Sequence, residues 1–380
     1  GTSRIAAGKN INVGSIGFSG GLFMLANYTS PGTSPQNFNF TGSGILTLGP
    51  STSFAGDVNA ECGGICLSGV IIDGASTFIK TGTSNDQGTG NNIFTGPTSI
   101  TNTGTGYILL SSSKKDIYQS EVNYTITNSG IIYVSYNGID NEFNGDIYLN
   151  STGLGSIRFG SSTGTSKLAP TKKVNIGSFG FSGGYVQFNK FIQDGGTPQV
   201  LDVSTGNAAI YFNSGSVFDG VVNIRFPQVY LNGSVFNGAT NIEKTGPGNN
   251  AGTGGNTFNG LTTIKNSGTG VLYLANSSGD DFNNHANFIQ TGSGALRPAH
   301  IGTSTFSGDI STLGSTAAIT FAASSGTVAL DGGVLQNING SSVYAPIFRR
   351  LNVSNGGAGV KLNVPVSVNA ALTLTNGLVE

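Results

Sequence analysis

The chain has few of the side chains on which catalysis and electrostatic binding depend. Its 380 residues include no tryptophan, two histidines, two cysteines and 9% charged residues, with 17 basic against 18 acidic side chains. This balance provides no charged patch for a polyanion, so we expect neither nucleic acid nor an anionic membrane as a partner. No apolar run is long enough to cross a bilayer, and we expect no membrane span.

Histidine, cysteine and acidic residues do not form the clusters that enzymes and metal sites need. His285 and His300 are the only histidines, and we expect both to be solvated. Asp280 and Asp281 belong to no repeated carboxylate cluster of the kind that binds calcium or supplies a catalytic base. We therefore expect no enzyme activity, no cofactor and no metal.

Glycine is abundant, at 61 residues, and is accompanied by much serine, threonine and asparagine. This composition favours strands and turns over helices. The chain opens with GTSRIAAG, without an initiator methionine or a signal peptide. We expect it to be a segment of a longer protein, with both ends covered by further chain.

A long internal repeat organises the sequence. Residues 1–21, GTSRIAAGKNINVGSIGFSGG, return at 164–184 as GTSKLAPTKKVNIGSFGFSGG, and FIKTG at 78–82 returns as IEKTG at 242–246. We therefore predict one repeat unit at 1–163 and a second at 164–326. Residues 327–380 are predicted to continue as shorter β-coils at the start of a divergent unit.

A shorter period lies inside each unit. Phenylalanines recur about 24 residues apart, and glycine stands two residues after each of them, except that Asn284 takes this place after Phe282. A fixed glycine indicates either a positive φ or a crowded backbone, and the exchange for asparagine favours a left-handed turn residue. The phenylalanines of this period are Phe94, Phe143, Phe258, Phe282 and Phe306.

Each period also contains a short strand with alternating polarity. Its second and fourth residues are almost uniformly apolar and are predicted to point inward, whereas the residue between them is predicted to point outward. The second residues are Ile108, Ile132, Ile157, Ile210, Val229, Leu272, Leu296 and Ile319. The fourth residues are Leu110, Val134, Phe159, Phe212, Leu231, Leu274, Pro298 and Phe321. The outward residues are Leu109, Tyr133, Arg158, Tyr211, Tyr230, Tyr273, Arg297 and Thr320.

Strands that recur in one orientation every 18–25 residues, separated by Gly/Asn/Ser corners, predict stacked coils rather than hairpins. The predicted fold is all-β: a right-handed parallel β-helix, or β-solenoid, with rungs of about 18–25 residues. Like residues of successive rungs would then form continuous internal ladders.

Two segments depart from this pattern. Residues 82–92, GTSNDQGTGNN, and 246–256, GPGNNAGTGGN, occupy matching places in the two units and are predicted to replace a strand with a loop. They are either tolerated insertions or protruding loops that could bind a ligand such as a glycan.

Cys62 and Cys66, in ECGGIC, stand where the second unit has Phe226 and Tyr230. Cys66 falls in the outward column and Cys62 near the preceding corner. A short disulfide across the bend is one reading, and two free thiols in aromatic positions are the other.

The outward column is the surface feature that most suggests a contact. Tyrosine and arginine are favoured at protein interfaces, so this face is a candidate lateral interface between copies of the chain. The alternative is that the same side chains form exposed cross-strand pairs that only stabilise the sheet. The residues concerned are Tyr133, Arg158, Tyr211, Tyr230, Tyr273 and Arg297.

Three stretches resemble a known repeat class: GFSGG, residues 256–282 (NTFNGLTTIKNSGTGVLYLANSSGDDF) and residues 348–380 (FRRLNVSNGGAGVKLNVPVSVNAALTLTNGLVE). They look like the β-helical repeat regions of very large surface adhesins and filament proteins of gliding and predatory bacteria, including hook-bearing fibres. The resemblance covers essentially the whole chain. It implies type IX secretion and an extracellular or cell-surface location, and it carries over no catalytic residues.

We therefore expect a structural extracellular filament or stalk segment that assembles with copies of itself and presents an adhesive end to other cells or surfaces. The alternative is a glycan-binding adhesin module acting through residues 82–92 and 246–256. A β-helical polysaccharide-active enzyme is the least favoured reading, because no rung collects several acidic and basic residues together.

Overall fold

The structure, a computed structural model, describes residues 1–14 and 17–380, without the side chain of Phe179. Within these ranges the chain forms strands, turns and bends and no helix. It divides into two compact units, Gly1–Gly195 and Gly196–Glu380. Each unit is built of parallel strands stacked as a β-solenoid, and the two contain about 15 turns between them. The prediction of an all-β parallel β-helix is confirmed.

Each regular turn contains three strands, which we name the first, second and third strand. The first is short and ends at the recurring phenylalanine, the second follows the glycine corner, and the third carries the alternating column described above. Strands pair in parallel with the same strand of the next turn. Among the described residues the third-strand ladder is interrupted in each unit, between Gly64–Leu67 and Asp86–Gln87 and between Gln228–Asn232 and Asn250–Ala251.

In the unit Gly1–Gly195 the first strands are Ser3–Arg4, Tyr28–Ser30, Thr52–Phe54, Val70–Ile72, Ile93–Phe94, Ile117–Tyr118, Asn141–Phe143, Ser166–Leu168 and Phe191–Gln193. The second strands are Asn12–Val13, Gln36–Asn39, Val58–Cys62, Ser76–Lys80, Thr98–Asn102, Val122–Ile126, Ile147–Ser151 and Val174–Phe181. The third strands are Leu22–Leu25, Ile45–Leu48, Gly64–Leu67, Asp86–Gln87, Tyr107–Ser111, Ile131–Ser135, Ser156–Phe159 and Tyr185–Phe188.

In the unit Gly196–Glu380 the first strands are Val217–Phe218, Val235–Phe236, Thr257–Phe258, Asp281–Phe282, Thr303–Phe306 and Thr327–Leu330. The second strands are Gln199–Asp202, Val222–Phe226, Thr240–Lys244, Thr262–Asn266, Ala286–Gln290, Ile310–Ser311, Gln336–Asn339 and Val360–Leu362. The third strands are Ala209–Asn213, Gln228–Asn232, Asn250–Ala251, Leu272–Tyr273, Leu296–Arg297 and Thr320–Phe321. Two longer strands, Ile347–Ser354 and Ser367–Asn376, pair with each other near the end of the chain.

The register places like residues over one another. Ile108 pairs with Ile132, and Ile132 pairs with Ile157, all in parallel. Register shifts occur where Ile147–Ser151 pairs with Val174–Phe181 and where Ile347–Ser354 pairs with Ser367–Asn376. The turn length changes from 18 residues between Val58 and Ser76 to 28 between Ile310 and Ile338, and the strands still pair in parallel. Extra residues are therefore absorbed in the corners.

The recurring aromatic residues stack inside each unit. In Gly1–Gly195 the ring of Tyr118 lies 5.0 Å from those of both Phe94 and Phe143, and the three rings are nearly parallel. In Gly196–Glu380 five rings stack with centroid separations of 5.6, 5.2, 4.9 and 4.7 Å, namely those of Phe218, Phe236, Phe258, Phe282 and Phe306. Such ladders bury large apolar surfaces and add favourable ring contacts.

The two columns predicted to point inward are buried throughout. The outward column is half-buried, with one exception: Leu109 is buried, at 3% exposure. Its neighbours in register are Gln87 and Tyr133. The prediction that Leu109 is exposed was therefore wrong.

The glycine two residues after each phenylalanine is needed for a different reason from the one favoured by the sequence. Neither Gly260 nor Gly308 has a positive φ, and Asn284 does not either. A Cβ at Gly260 would lie 2.4 Å from the carbonyl carbon of Gly238, and one at Gly308 would lie 2.4 Å from that of Asn284. The left-handed interpretation is wrong, and the crowded-backbone alternative holds, because successive corners stack in direct backbone contact.

Candidate functional site

The tyrosine and arginine residues of the outward column contact one another in Gly1–Gly195. The Tyr133 ring lies 5.5 Å from the rings of both Tyr107 and Tyr136, in edge-to-face geometry. The guanidinium carbon of Arg158 lies 5.4 Å from the Tyr133 centroid and 5.0 Å from that of Tyr185. Arg158 is thus held between two rings by cation–π contacts. Tyr185 was missed by the sequence analysis because it lies two residues before the outward position of its strand.

The same column in Gly196–Glu380 forms two separate contacts. The rings of Tyr211 and Tyr230 stack face to face, with centroids 4.3 Å apart and planes inclined by 2°. Tyr273 pairs in register with Arg297, and its ring lies 4.6 Å from the imidazole of His300. Burial, and then the charge of Arg297, lowers the pKa of His300. His300 therefore belongs to this aromatic cluster.

These contacts bear on both readings of the column. The rings and guanidinium groups stack along the sheet, as expected of cross-strand pairs that stabilise it. They also leave half-buried aromatic side chains at the exterior of the coil, and aromatic residues are enriched in protein–protein interfaces. The structure describes three such groups, one in Gly1–Gly195 and two in Gly196–Glu380.

The two cysteines lie on different strands and are free. Cys62 ends a second strand and is buried inside the coil, where its Sγ lies 3.4 Å from the carbonyl oxygen of Phe38. Burial raises the pKa of the Cys62 thiol to about 12. Cys66 is half-buried and pairs with Thr47 in the outward column of its sheet. Cys62 thus takes an inward core position and not a surface corner.

Residues 82–92 and 246–256 are not protruding loops. Asp86–Gln87 pairs in parallel with Ile108 and Leu109, and Asn250–Ala251 pairs with Leu272 and Tyr273. Inward and outward residues alternate through both segments. The prediction that they lack the strand was wrong because polar residues, Asp86 and Asn250, stand in the inward column where the prediction required apolar ones.

The FIKTG and IEKTG motifs place a buried lysine at the corner after the second strand. Lys80 and Lys244 are both fully buried. Lys80 Nζ donates a hydrogen bond to the carbonyl oxygen of Gly82 at 2.7 Å, and Lys244 Nζ donates to those of Gly246 at 2.5 Å and Gly270 at 3.3 Å. Each lysine therefore satisfies carbonyl groups that the turning backbone leaves inside the coil.

On later turns, amide side chains donate hydrogen bonds to the corner carbonyl groups in place of lysine. Asn266 Nδ2 donates to the carbonyl oxygens of Gly270 and Ala295, both at 3.0 Å. Gln290 Nε2 donates to those of Gly292 and Gly294, both at 2.7 Å. The sequence signal for this column is a polar residue directly before the Gly-rich corner, which a prediction from apolar alternation alone does not detect.

The two buried lysines differ in their acidic partner. Asp86 Oδ2 lies 3.4 Å from Lys80 Nζ, and Ser84 donates a 2.8 Å hydrogen bond to Asp86 Oδ1. Asn250 stands at the matching place beside Lys244, which has no ion pair in the described part of the chain. Burial lowers the pKa of Lys244 to about 8.

A second buried polar column lies just before the first strands. The backbone N–H and the side-chain Nδ2 of Asn92 both donate to Asp116 Oδ1 at 2.9 Å, and Asp116 N–H donates to Asn141 Oδ1 at 2.8 Å. The second unit repeats this arrangement with Asn256 donating to Asp280 at 3.0 and 2.8 Å. These bonds tie each turn to the next at a corner.

Asp116 is buried without full hydrogen bonding. Within residues 1–14 and 17–380, its Oδ2 and the hydroxyls of Tyr118 and Tyr124 have no hydrogen-bond partner. Burial raises the pKa of Asp116 to about 7, against the opposing hydrogen bonds from Asn92. The pKa of Asp280 is raised to about 6 for the same reason. These carboxyl groups therefore ionise at a higher pH than an ordinary aspartate does.

The remaining candidate residues form no cluster. His285 Nδ1 lies 3.8 Å from Asp309 Oδ2 at the surface. In residues 1–14 and 17–380 no three histidine, cysteine or acidic side chains converge as a metal site. The same ranges hold no helix that is long and apolar enough to span a membrane.

Comparison of the chain with protein-family models, with curated proteins and with solved structures finds no match in any of the three.

The matched lysines give one testable prediction. Lys80→Gln should lower the free energy of unfolding by about 3–5 kcal/mol at pH 7, because it leaves the buried Asp86 carboxylate unpaired. Lys244→Gln should change it by less than about 1 kcal/mol or raise it, because Gln290 already fills the same position on another turn. Chemical denaturation followed by circular dichroism measures both. Equal effects of the two substitutions would contradict this account.

The raised pKa of Asp116 gives a second prediction. Between the unfolded pKa of about 3.9 and the folded value, the unfolded chain binds fewer protons than the folded chain, so stability falls as pH rises. The loss begins near the unfolded pKa and is complete above the folded pKa of about 7. Asp116→Asn should remove this loss. The test is chemical denaturation of both proteins at pH 4 and pH 8. The free energy of unfolding of the variant, relative to that of the parent, should be higher at pH 8 than at pH 4 by on the order of 3 kcal/mol. Parallel pH profiles for the two proteins would refute it.

Proposed function

We propose that the chain is a non-catalytic structural segment of an extracellular filament or stalk, which assembles with copies of itself. The observation that carries this proposal is the ladder of identical side chains in each unit, such as the five stacked phenylalanines from Phe218 to Phe306. The side chains of this ladder pack each turn of the coil against the next.

Such an interior suits a mechanical role. In a solenoid each turn contacts only its neighbours, so stability is a sum of similar local terms and further turns extend the structure without a new core. The buried lysines and amides at the corners add hydrogen bonds between turns, as Lys244 does when it bonds to Gly246 and to Gly270 one turn later.

Self-assembly is supported by charge and by the outward column. The formal net charge of −1 leaves little repulsion between copies. Tyr211 and Tyr230 offer a half-buried, stacked aromatic surface, and Arg158 lies between Tyr133 and Tyr185. Flat, rigid aromatic groups lose little side-chain entropy on association.

The cell-surface location, export by the type IX route and an adhesive end belong to the proposal as well. Their support is the resemblance of residues 256–282 and 348–380 to the repeat regions of large surface proteins. Cells expressing the parent protein, labelled with an antibody to this segment without permeabilisation, would test the location.

A second candidate is a glycan-binding adhesin module. Residues 82–92 favour it through their outward side chains, since Thr83, Asn85, Gln87, Thr89 and Asn91 are all exposed. Hydroxyl and amide groups in a row are able to hydrogen-bond sugar hydroxyls. Residues 246–256 offer fewer such groups, with Asn249 and Thr253 exposed.

The proposed contact between copies of the chain through the tyrosines can be tested by introducing charged residues there. Tyr211→Lys combined with Tyr230→Lys removes the stacked pair and places like charges at a proposed seam. We expect the association constant from sedimentation velocity to fall at least about tenfold, with loss of fibres in electron micrographs.

The matched control is Asn241→Lys combined with Thr263→Lys, which adds the same charge to the outer face of the second-strand sheet in the same unit. This control should assemble like the parent. If the tyrosine variant folds by circular dichroism and assembles as well as the control, the lateral role is rejected.

A further inference from the structure

A groove lies on the outer face of the second-strand sheet in Gly1–Gly195. Its volume is about 390 Å³, within the size range of small-ligand sites. It crosses four successive strands, and its lining includes Thr77, Ser99, Asn123 and Tyr148. These four residues are consecutive in register, each paired with the next. At about 4.8 Å per strand they span about 14 Å.

The groove exists because a ladder of amides stops there. On earlier turns Asn59 Nδ2 donates to Asn37 Oδ1 at 3.1 Å, and Asn37 Nδ2 donates to Asn12 Oδ1 at 3.0 Å. The next two positions are Thr77 and Ser99, whose shorter side chains leave space above the sheet.

Several polar groups that line this space are not used by the protein. Asn123 Oδ1 accepts hydrogen bonds from Asn150 at 2.8 Å and Thr125 at 3.2 Å, but Asn123 Nδ2 donates none within the described part of the chain. Over the same residues the side chains of Thr77 and Ser99 make no hydrogen bond. Unused donors and acceptors on neighbouring strands are available to a ligand.

Tyr148 and Glu121 complete the lining at one end. Tyr148 is half-buried and contributes an aromatic wall. Burial raises the pKa of its hydroxyl, and the nearby carboxylates of Glu121 and Asp146 raise it further. The Glu121 carboxylate lines the same groove as Tyr148 and makes no hydrogen bond in the described ranges.

We propose that this groove binds a neutral oligosaccharide. The apolar face of a sugar packs on an aromatic ring, here Tyr148, while its hydroxyls need mixed donors and acceptors such as Asn123, Ser99 and Glu121. The lining contains a carboxylate and no lysine or arginine, which disfavours phosphate, sulfate and uronic acid ligands.

The second unit provides an internal comparison. Ser311 and His285 stand where the first unit has Tyr148 and Glu121. The groove on its second-strand sheet is smaller, about 210 Å³, and lies at Arg225, Glu243 and Lys265. There the charged groups satisfy one another, because Glu243 lies 3.1 Å from Lys265 and 3.6 Å from Arg225. The sugar site is therefore assigned to the first unit alone.

This site is independent of the filament proposal, because its lining shares no residue with the tyrosine and arginine column. A filament segment without sugar binding, and a sugar-binding protein that stays monomeric, are distinguishable outcomes.

The test begins with the 380-residue chain on an array of neutral oligosaccharides and uronic acid oligosaccharides, followed by calorimetry with the strongest neutral ligand. Tyr148→Ala should weaken binding about tenfold or more, and Tyr148→Phe, which keeps the ring, by less than about threefold. Gln87→Ala, in the exposed row of residues 82–92, should leave binding unchanged. Circular dichroism establishes that each variant is folded.

Absence of any neutral ligand on the array, or a preference for uronic acids, overturns the proposal. Full binding by folded Tyr148→Ala overturns it too. Loss of binding in Gln87→Ala but not in Tyr148→Ala would instead assign sugar recognition to residues 82–92. Binding of peptides in place of sugars would also reject this assignment.

Discussion

The parallel pairing of each strand with the same strand one turn later is the constraint on which every other feature depends. Because the pairing is in register, a residue that points inward lies directly over its equivalents, as Ile108, Ile132 and Ile157 do. Side chains must therefore fit copies of themselves, and the stacked phenylalanines fulfil this at ring separations near 5 Å. The same constraint forces corners to stack on corners, which is why Gly260 tolerates no Cβ without displacement of Gly238.

Stacked corners create a second requirement, which the buried polar residues meet. A backbone that turns inside a closed coil leaves carbonyl and N–H groups without strand partners, and leaving such groups unpaired costs about 1–3 kcal/mol each. Lys80, Lys244 and Gln290 donate to these carbonyls, while Asn92 and Asp116 link neighbouring turns. Burial of these ionisable groups disfavours their charged forms. The pKa of Lys244 therefore falls to about 8 and that of Asp116 rises to about 7.

The fold could be predicted from the sequence because the period-2 alternation and the internal repeat both follow directly from which side chains are buried. The prediction failed where burial does not follow polarity. Leu109 is buried although it stands in the outward column, and residues 82–92 keep a strand although the polar Asp86 stands in the inward column. The buried lysines could have been found from their recurrence in FIKTG and IEKTG, but charge alone indicates a solvated residue. The Tyr148 groove could not be predicted, because it depends on short side chains standing in register on separate turns.

The most direct test of the central claim is disulfide trapping across neighbouring turns, in a protein whose own cysteines are replaced by Cys62→Ala and Cys66→Ser. Thr101 and Thr125 are paired outward residues, and Asn150 is paired with Thr125 one turn further. Cysteines at 101 and 125 lie about 5 Å apart at Cα and should form an intramolecular disulfide under mild oxidation, whereas cysteines at 101 and 150 lie about 10 Å apart and should not. Peptide mapping by mass spectrometry identifies the bond. Efficient crosslinking of 101 with 150, or none between 101 and 125, would contradict the stacked coil.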